Sequence, residues 1–319
     1  DDVSGGVQSS GDLVLSGSVF SNAGVGVALT GGTADVENLN FITGVGNALT
    51  ISSGVSGDVD GMEGQAANAI VSMDSTGFTV SNVDMSGERL VNSWSAGDLT
   101  ISDASFFADS PETPIDLRTS GTVTLSEINL TGQFSSGQNS YNSPWIGMAL
   151  AGSGDYHISD SIIEATDSAL KASGTGTLSI TDTKFSSERI GLSFSGISST
   201  SLDNVMVNIS LGGEKGIDIL QGAHSFSGLE VNMPFNQFSS GSTGIEAWWC
   251  NIDAEDIAVN GFANSMSVYE SVLDTEDLTL LDSSKQGLFS SSSMISVSDS
   301  LETRISDNGL VMISSNAVL

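Results

Sequence analysis

The stretch Leu99-Thr100-Ile101-Ser102-Asp103 returns 24 residues later as Val123-Thr124-Leu125-Ser126-Glu127. Both copies alternate apolar and polar residues and end in a small hydroxyl residue followed by an acidic one. Period-two alternation with β-branched residues is typical of a β-strand that has one buried face. The two stretches therefore predict equivalent strands, each ending in a polar turn.

The end of this pattern, an apolar residue, a small or acidic residue and a turn residue, recurs along the whole chain. Its other copies are Leu15-Ser16-Gly17, Val36-Glu37-Asn38, Val59-Asp60-Gly61, Val80-Ser81-Asn82, Ile158-Ser159-Asp160, Ile180-Thr181-Asp182, Leu202-Asp203-Asn204, Phe226-Ser227-Gly228, Ile252-Asp253-Ala254, Leu280-Leu281-Asp282 and Ile305-Ser306-Asp307. Successive copies lie 21 to 33 residues apart, with a mean near 24. Such a period indicates a solenoid, in which stacked repeats together bury a core that one repeat cannot bury alone.

Two further apolar positions occur in most repeats. The first follows the turn by about four residues, as in Phe20, Phe41 and Phe106, and the second lies in runs such as Val27-Ala28-Leu29 and Ile217-Asp218-Ile219. Three short strands and three turns in each repeat predict an all-β fold, a right-handed parallel β-helix of about 13 coils of roughly 24 residues. The chain has only 4 Pro in 319 residues. Because proline lacks the backbone N–H that pairs interior strands, this low number fits strands that are paired on both sides.

The unbroken repeat predicts a single β-helix domain over residues 1–319. A step of 33 residues between Ser126 and Ser159 indicates an inserted loop at about residues 132–145. Residues 1–10 are expected to cover one end only weakly, and the apolar strand 310–313 is expected to be covered by another copy or by sequence outside this chain, because open core ends need a cap. We expect contacts with other copies or other surface proteins to be end-on.

The net charge is −31, from 39 acidic and 8 basic residues. A nucleic-acid partner is excluded because phosphate binding needs basic patches, and anionic membranes are disfavoured for the same reason. The chain has no run of about 20 apolar residues that would insert into a bilayer. Such an acidic protein suits salt or millimolar calcium outside a cell, where its self-repulsion is screened or bridged. We therefore expect an extracellular or cell-surface location.

Two groups of acidic residues are candidate calcium ligands, since stacked carboxylates repel each other and Ca²⁺ prefers oxygen ligands. The first group occupies one turn position in successive repeats, and the second lies within the segment GDVDGMEG. Their members are Asp103, Glu127, Asp160 and Asp182, and Asp58, Asp60 and Glu63. The alternative is that these acids are ordinary solvated turn residues. No cofactor is expected to be required.

Other candidate sites are fewer. In the inserted loop, Phe134, Tyr141 and Trp145 could stack on sugar rings, or Trp145 could return to the core. Asn129 and Asn208 begin glycosylation sequons. Cys250, the single cysteine, is expected to be a small buried apolar residue.

The predicted fold resembles that of pectate lyases and of the glycoside hydrolases that cleave polygalacturonate. That resemblance implies paired aspartates together with Gly-His-Gly and Arg-x-Lys motifs in the hydrolases. Here His157 lies in Asp-Tyr-His-Ile and His224 in Gly-Ala-His-Ser, so neither motif is present. The repeats are more similar to β-helical segments of large archaeal and bacterial cell-surface proteins. We therefore expect a structural or adhesive protein without catalysis, the alternative being a β-helix that binds or cleaves carbohydrate.

Overall fold

The computed structural model describes residues 6–95, 97–132, 146–210, 213–234, 240–305 and 307–318. These residues form strands and turns without helices, and the strands pair in parallel as a β-solenoid of about 13 turns. The predicted all-β, parallel solenoid fold is confirmed. The chain divides into two compact units, unit 1 (Asp1–Glu164) and unit 2 (Ala165–Leu319). The single continuous domain stays a prediction.

Sixteen strands lie in the described part of unit 1. They are β1 (Val7–Ser9), β2 (Leu13–Ser16), β3 (Val19–Phe20), β4 (Val25–Leu29), β5 (Thr33–Phe41), β6 (Asn47–Ile51), β7 (Ser56–Gln65), β8 (Asn68–Ser72), β9 (Phe78–Gly87), β10 (Arg89–Ser95), β11 (Leu99–Ala108), β12 (Ile115–Thr119), β13 (Thr122–Gly132), β14 (Ile146–Gly152), β15 (Asp155–Ser159) and β16 (Ile162–Glu164).

Unit 2 contains the remaining strands. They are β17 (Ser168–Gly174), β18 (Thr177–Thr181), β19 (Lys184–Ser187), β20 (Ile190–Ser195), β21 (Ser199–Asp203), β22 (Met206–Ile209), β23 (Lys215–Ser227), β24 (Leu229–Asn232), β25 (Thr243–Asn260), β26 (Asn264–Tyr269), β27 (Val272–Ser283), β28 (Gln286–Ser291), β29 (Met294–Ile305), β30 (Asn308–Ile313) and β31 (Asn316–Val318).

In unit 1 the strands form three parallel ladders. The first ladder joins β2, the early parts of β5, β7, β9, β11 and β13, and β15; the second joins β3, the later parts of the same long strands, and β16. The third ladder joins β1, β4, β6, β8, β10, β12 and β14. Unit 2 repeats this arrangement, but single strands such as β23 and β25 there cross from the third ladder into the first.

Equivalent apolar residues stack in the interior of unit 1. Ile101 pairs in register with Leu125, which pairs with Ile158, and all three are buried. Alternation then turns the residues between them outward, and Val14 in the same ladder is 80% exposed. The predicted register of the first strand is therefore confirmed in unit 1. In unit 2, Leu178 and Ile180 are buried in the same way.

The register predicted for the last repeats is wrong. Ile252 pairs with His224, and it is Ala254 that pairs with Phe226. Leu280 pairs with Val259 in the second ladder rather than continuing the first. The reason is that His224 is a polar residue facing inward, so the apolar pattern that sets the register is interrupted there.

Candidate functional site

The turn between the first and second ladders of unit 1 is a column of residues with left-handed backbone. Their φ values lie between 50° and 88° in seven successive coils, at Gly17, Asn38, Gly61, Asn82, Asp103, Glu127 and Asp160. Gly, Asn and Asp adopt this conformation most readily. The backbone therefore explains why Asp103 and Asp160 occupy this position, independently of any metal. We call these seven residues the turn ladder.

Within the turn ladder, Glu127 faces acidic neighbours. The pKa of its carboxyl is raised, first because the protonated group hydrogen-bonds the side chain of Asp103, and further by the charges of Asp103 and Asp160. A raised pKa means that the ionised form is disfavoured in the folded chain. This carboxylate therefore works against folding at neutral pH.

The second group of predicted calcium ligands is divided by the same turn. Asp58 and Asp60 lie in the first ladder, Asp60 directly before the turn residue Gly61, and Glu63 lies in the second ladder, all within β7. Ser81 and Asn82 donate hydrogen bonds to Asp60 Oδ1, and these bonds, that of Asn82 first, lower its pKa. Asp60 is thus held as a carboxylate by polar neighbours.

The predicted Asp182 lies in the corresponding turn of unit 2, with φ 47°. Its Oδ1 accepts a hydrogen bond from Asn204 Nδ2 of the next coil. Within the described residues of both units, no group of three or more His, Cys, Asp or Glu is arranged to hold a metal ion. Calcium binding stays a prediction.

The predicted sugar-stacking residues Phe134, Tyr141 and Trp145 lie outside the described residues. Of the two sequons, Asn129 is exposed on β13. Asn208 is half-buried on β22, and its Oδ1 accepts a bond from Asn232 Nδ2 at 3.5 Å. Asn232 Oδ1 in turn accepts from Asn260 Nδ2 at 2.9 Å. Asn129 is therefore the more accessible of the two sequon residues, and glycosylation of either stays a prediction.

An acidic groove lies on unit 2 along the first ladder and its turn. We define it by four acidic side chains that line it, Asp253, Glu255, Asp274 and Glu276. Ser227 Oγ donates to Glu255 Oε2 at 3.1 Å. The aromatic ring that lines the groove, Phe226, is buried. The groove therefore offers carboxylates and hydroxyls to a ligand.

A cluster of outward aromatic rings lies on the third ladder of unit 2. We call Trp248, Trp249, Tyr269 and Phe289 the aromatic patch. The Trp248 and Tyr269 rings stack with centroids 3.9 Å apart and planes 9° apart. Tyr269 and Phe289 are 5.4 Å apart and tilted by 45°, and Trp248 and Trp249 are 5.6 Å apart. Four rings therefore form one contiguous surface.

Two carboxylates fix the indoles of the aromatic patch. Trp248 Nε1 donates to Glu246 Oε1 at 2.8 Å, and Trp249 Nε1 donates to Glu270 Oε2 at 3.0 Å. Lys215 Nζ lies 3.0 Å from Glu246 Oε2, which holds that carboxylate in turn. Because these bonds restrict the side chains, the rings are oriented before any ligand arrives.

Trp249 has an unusual backbone for a bulky residue. Its φ is +54°, and the equivalent position in the neighbouring coils carries Gly196, Gln221, Glu270 or Ser292, all with positive φ. A left-handed conformation at a bulky residue is strained and is therefore a pointer to function. The turn displays this indole, which is 51% exposed.

Sequence analysis missed the aromatic patch. The signal existed, because Tyr269 follows Trp248 by 21 residues and Phe289 follows Tyr269 by 20, close to one coil each. With the register of the last repeats misassigned, the shared column of Trp248 and Tyr269 is not evident from the sequence. Cys250 was correctly predicted to be buried; its pKa is raised chiefly by burial.

Comparison with known proteins gives no match to a family model, to a curated protein or to a solved structure. Among the described residues no helix is both long enough and apolar enough to span a membrane.

Proposed function

We propose that this chain is an extracellular structural or adhesive protein, similar to the β-helical segments of large archaeal and bacterial cell-surface proteins. The observation that carries the proposal is the turn ladder, which repeats one backbone conformation in seven successive coils. A repeating surface presents the same chemistry many times, which suits a scaffold better than a single reaction centre. Contacts with other copies or surface proteins are proposed to be end-on, away from the acidic sides.

The charge supports an exterior location. Acidic residues occur in both units, 20 in unit 1 and 19 in unit 2. In the turn ladder the Asp103, Glu127 and Asp160 carboxylates repel each other. Screening by salt or bridging by calcium relieves this repulsion.

Antibody labelling of intact source cells tests the location. We expect labelling without permeabilisation, and loss of the epitope when intact cells are treated with protease. Labelling that appears only after permeabilisation would contradict the proposal.

A melting scan tests the charge argument on the purified chain. Calcium chloride is compared with sodium chloride at matched ionic strength. If calcium binds the folded state alone, stability rises by about 2.7 kcal/mol at a hundredfold excess over its dissociation constant. If the melting temperature rose equally in the two salts, the whole effect would be due to charge screening.

The acidic groove favours a second candidate, a protein that binds or cleaves carbohydrate. Carboxylate pairs such as Asp253 and Glu255 are the residue types that glycoside hydrolysis uses. The aromatic patch does not line the groove, however, so carboxylates and sugar-stacking rings do not converge there. Release of reducing ends from neutral polysaccharides, abolished by Glu255→Gln, would establish this candidate in place of the first.

A further inference from the structure

We propose that the aromatic patch is a binding site for neutral, β-linked oligosaccharides, in which a flat pyranose face packs on the exposed indole of Trp249 and the sugar chain continues over the outward edges of the stacked Trp248 and Tyr269 rings. The site is distinct from the predicted loop residues and from the acidic groove. This binding site does not depend on the proposed extracellular location or on the proposed structural role, because a protein with either property can have or lack an oligosaccharide site.

The first argument is the selective placement of the rings. In unit 2 the outward column that contains Trp248 and Tyr269 carries Ser195 and Leu220 in the two coils before Trp248, and Ser291 in the coil after Tyr269. Serine meets the packing requirements of this position, so the solenoid does not need aromatic rings there. Adjacent coils nevertheless place two large rings in contact with each other.

The second argument is the strained, exposed Trp249. The equivalent Gly196 adopts positive φ without a Cβ penalty. A tryptophan at this position costs conformational energy and leaves half of its surface in water. A bound ligand that covers the indole would recover part of that cost.

The third argument concerns the chemistry of the ligand. Indole and phenol rings are apolar on their faces and polar at one edge, which matches a pyranose with apolar faces and hydroxyl edges. Glu246 and Glu270 lie at the indole edges, and a carboxylate has about four lone-pair sites and so accepts further bonds from hydroxyls. A few placed polar groups beside apolar rings are typical of small-ligand sites.

Charge selects among occupants. With a net charge of −31, the chain repels acidic glycans such as polygalacturonate and repels its own copies. A quaternary ammonium would need ring faces that converge around it, whereas Trp248 and Tyr269 stack directly on each other. A neutral saccharide fits both the rings and the charge.

Calorimetric titration of the full chain with cellohexaose, mannohexaose and chitohexaose tests the proposal. We expect at least one to bind, and expect Trp249→Asn and Tyr269→Ser to weaken that binding by about tenfold or more. Asn tolerates positive φ, and Ser291 occupies the position of Tyr269 in the next coil, so both variants should remain folded; circular dichroism and melting verify this. Trp94→Ala is the matched control, since Trp94 is 50% exposed on the third ladder of unit 1.

Results of three kinds would overturn the proposal. The first is no binding of any of the three sugars at millimolar concentration, or equal losses in Trp249→Asn and Trp94→Ala. The second is binding to phosphatidylcholine vesicles that Trp249→Asn removes, which would assign the patch to lipid. The third is self-association that Trp249→Asn removes, which would assign it to a second copy.

Discussion

Units 1 and 2 share one fold but accommodate polar groups differently. The described interior of unit 1 contains six buried polar residues, and that of unit 2 contains fifteen. Unit 1 has two basic residues and unit 2 has six. Acids in unit 1 face one another in the turn ladder, as Asp103 and Glu127 do. Parallel ladders therefore fix the fold and leave the placement of charge free to differ.

Buried hydroxyls in unit 2 support its turns directly. Ser271 Oγ accepts from the backbone of Cys250, and Ser293 Oγ accepts from the backbone of Ser271, at 3.0 and 3.1 Å. Ser315 Oγ accepts from Ser293 in the same way, at 3.1 Å. Each of these three hydroxyls thus satisfies a backbone donor of the preceding coil.

The largest expected effect compares the two cores. Ile101→Ala in unit 1 and Ile180→Ala in unit 2 remove buried side chains at equivalent positions of the first ladder. Each should lower the free energy of unfolding by about 2–5 kcal/mol, measured by urea denaturation. Val14→Ala, at an outward position, is the control and should change it by less than about 0.5 kcal/mol. A small loss at Ile180 alone would mean that the polar interior of unit 2 is loosely packed.

The next prediction concerns a buried charge in unit 2. The Asp167 side chain is 4% exposed and contacts Arg189 Nη1 at 2.5 Å and Lys171 Nζ at 3.2 Å. Asp167→Asn removes the buried counter-charge of both cations, although Arg189 keeps its ion pair with Glu214 at 2.8 Å. We expect a loss of about 3 kcal/mol, the low end for a buried pair, since both cations are partly exposed.

The matched control is the exposed Arg118–Asp116 pair of unit 1, at 3.0 Å. Asp116→Asn should cost about 0–1 kcal/mol in the same denaturation assay. Equal losses at Asp167 and Asp116 would show that burial of the unit 2 cluster adds nothing to its stability.

The sequence predicted unit 1 better than the later part of unit 2 for a physical reason. In unit 1 each first turn has a left-handed residue, so Gly, Asn or Asp marks the register in most coils. In β25 the corresponding turn passes through Glu255 and Asp256 without positive φ, and this marker is lost. The period survives there, but the position within the coil cannot be read from the sequence.

The candidate sites followed the same rule. Turn acids such as Asp103 were found because they coincide with the repeat. In the aromatic patch, Trp248 and Tyr269 occupy the same position of successive coils. Phe289 lies in the following coil, two residues before the residue that pairs with Tyr269. The one-coil spacing of Trp248 and Tyr269 is visible in the sequence, whereas the contact of Phe289 with Tyr269 depends on the three-dimensional register.

A smaller effect is expected from His224, which faces the interior of unit 2. The pKa of His224 is lowered, first by burial, against the opposing effect of its hydrogen bond to the Gln221 carbonyl. The unfolded chain therefore binds a proton near pH 6.5 that the folded chain does not bind. Stability is complete above that pH and falls as the pH drops below it, by at most about 1.4 kcal/mol per pH unit.

His224→Leu should remove this contribution. We expect the free energy of unfolding to fall less in the variant than in the wild type between pH 7 and pH 5.5. His157→Asn, at an exposed position of unit 1, is the control and should keep the wild-type slope. Parallel pH profiles for wild type and His224→Leu would contradict the assignment.

The smallest expected effect lies in the turn ladder. Because the pKa of Glu127 is raised in the folded chain, its ionised form destabilises the fold as the pH rises through that pKa, and the penalty is absent at lower pH. Glu127→Gln should therefore raise the melting temperature slightly at pH 7 and leave it unchanged at a pH where the carboxyl is protonated. Asn82→Asp is the inverse test, since it replaces a donor to Asp60 with a like charge and should lower the melting temperature. Both shifts should shrink in about 1 M salt, where the Debye length is about 3 Å. If Glu127→Gln raised the melting temperature equally at both pH values, the gain would come from backbone conformation and not from charge. The turn ladder of unit 1 would then not differ from the ion-paired acids of unit 2 through charge repulsion.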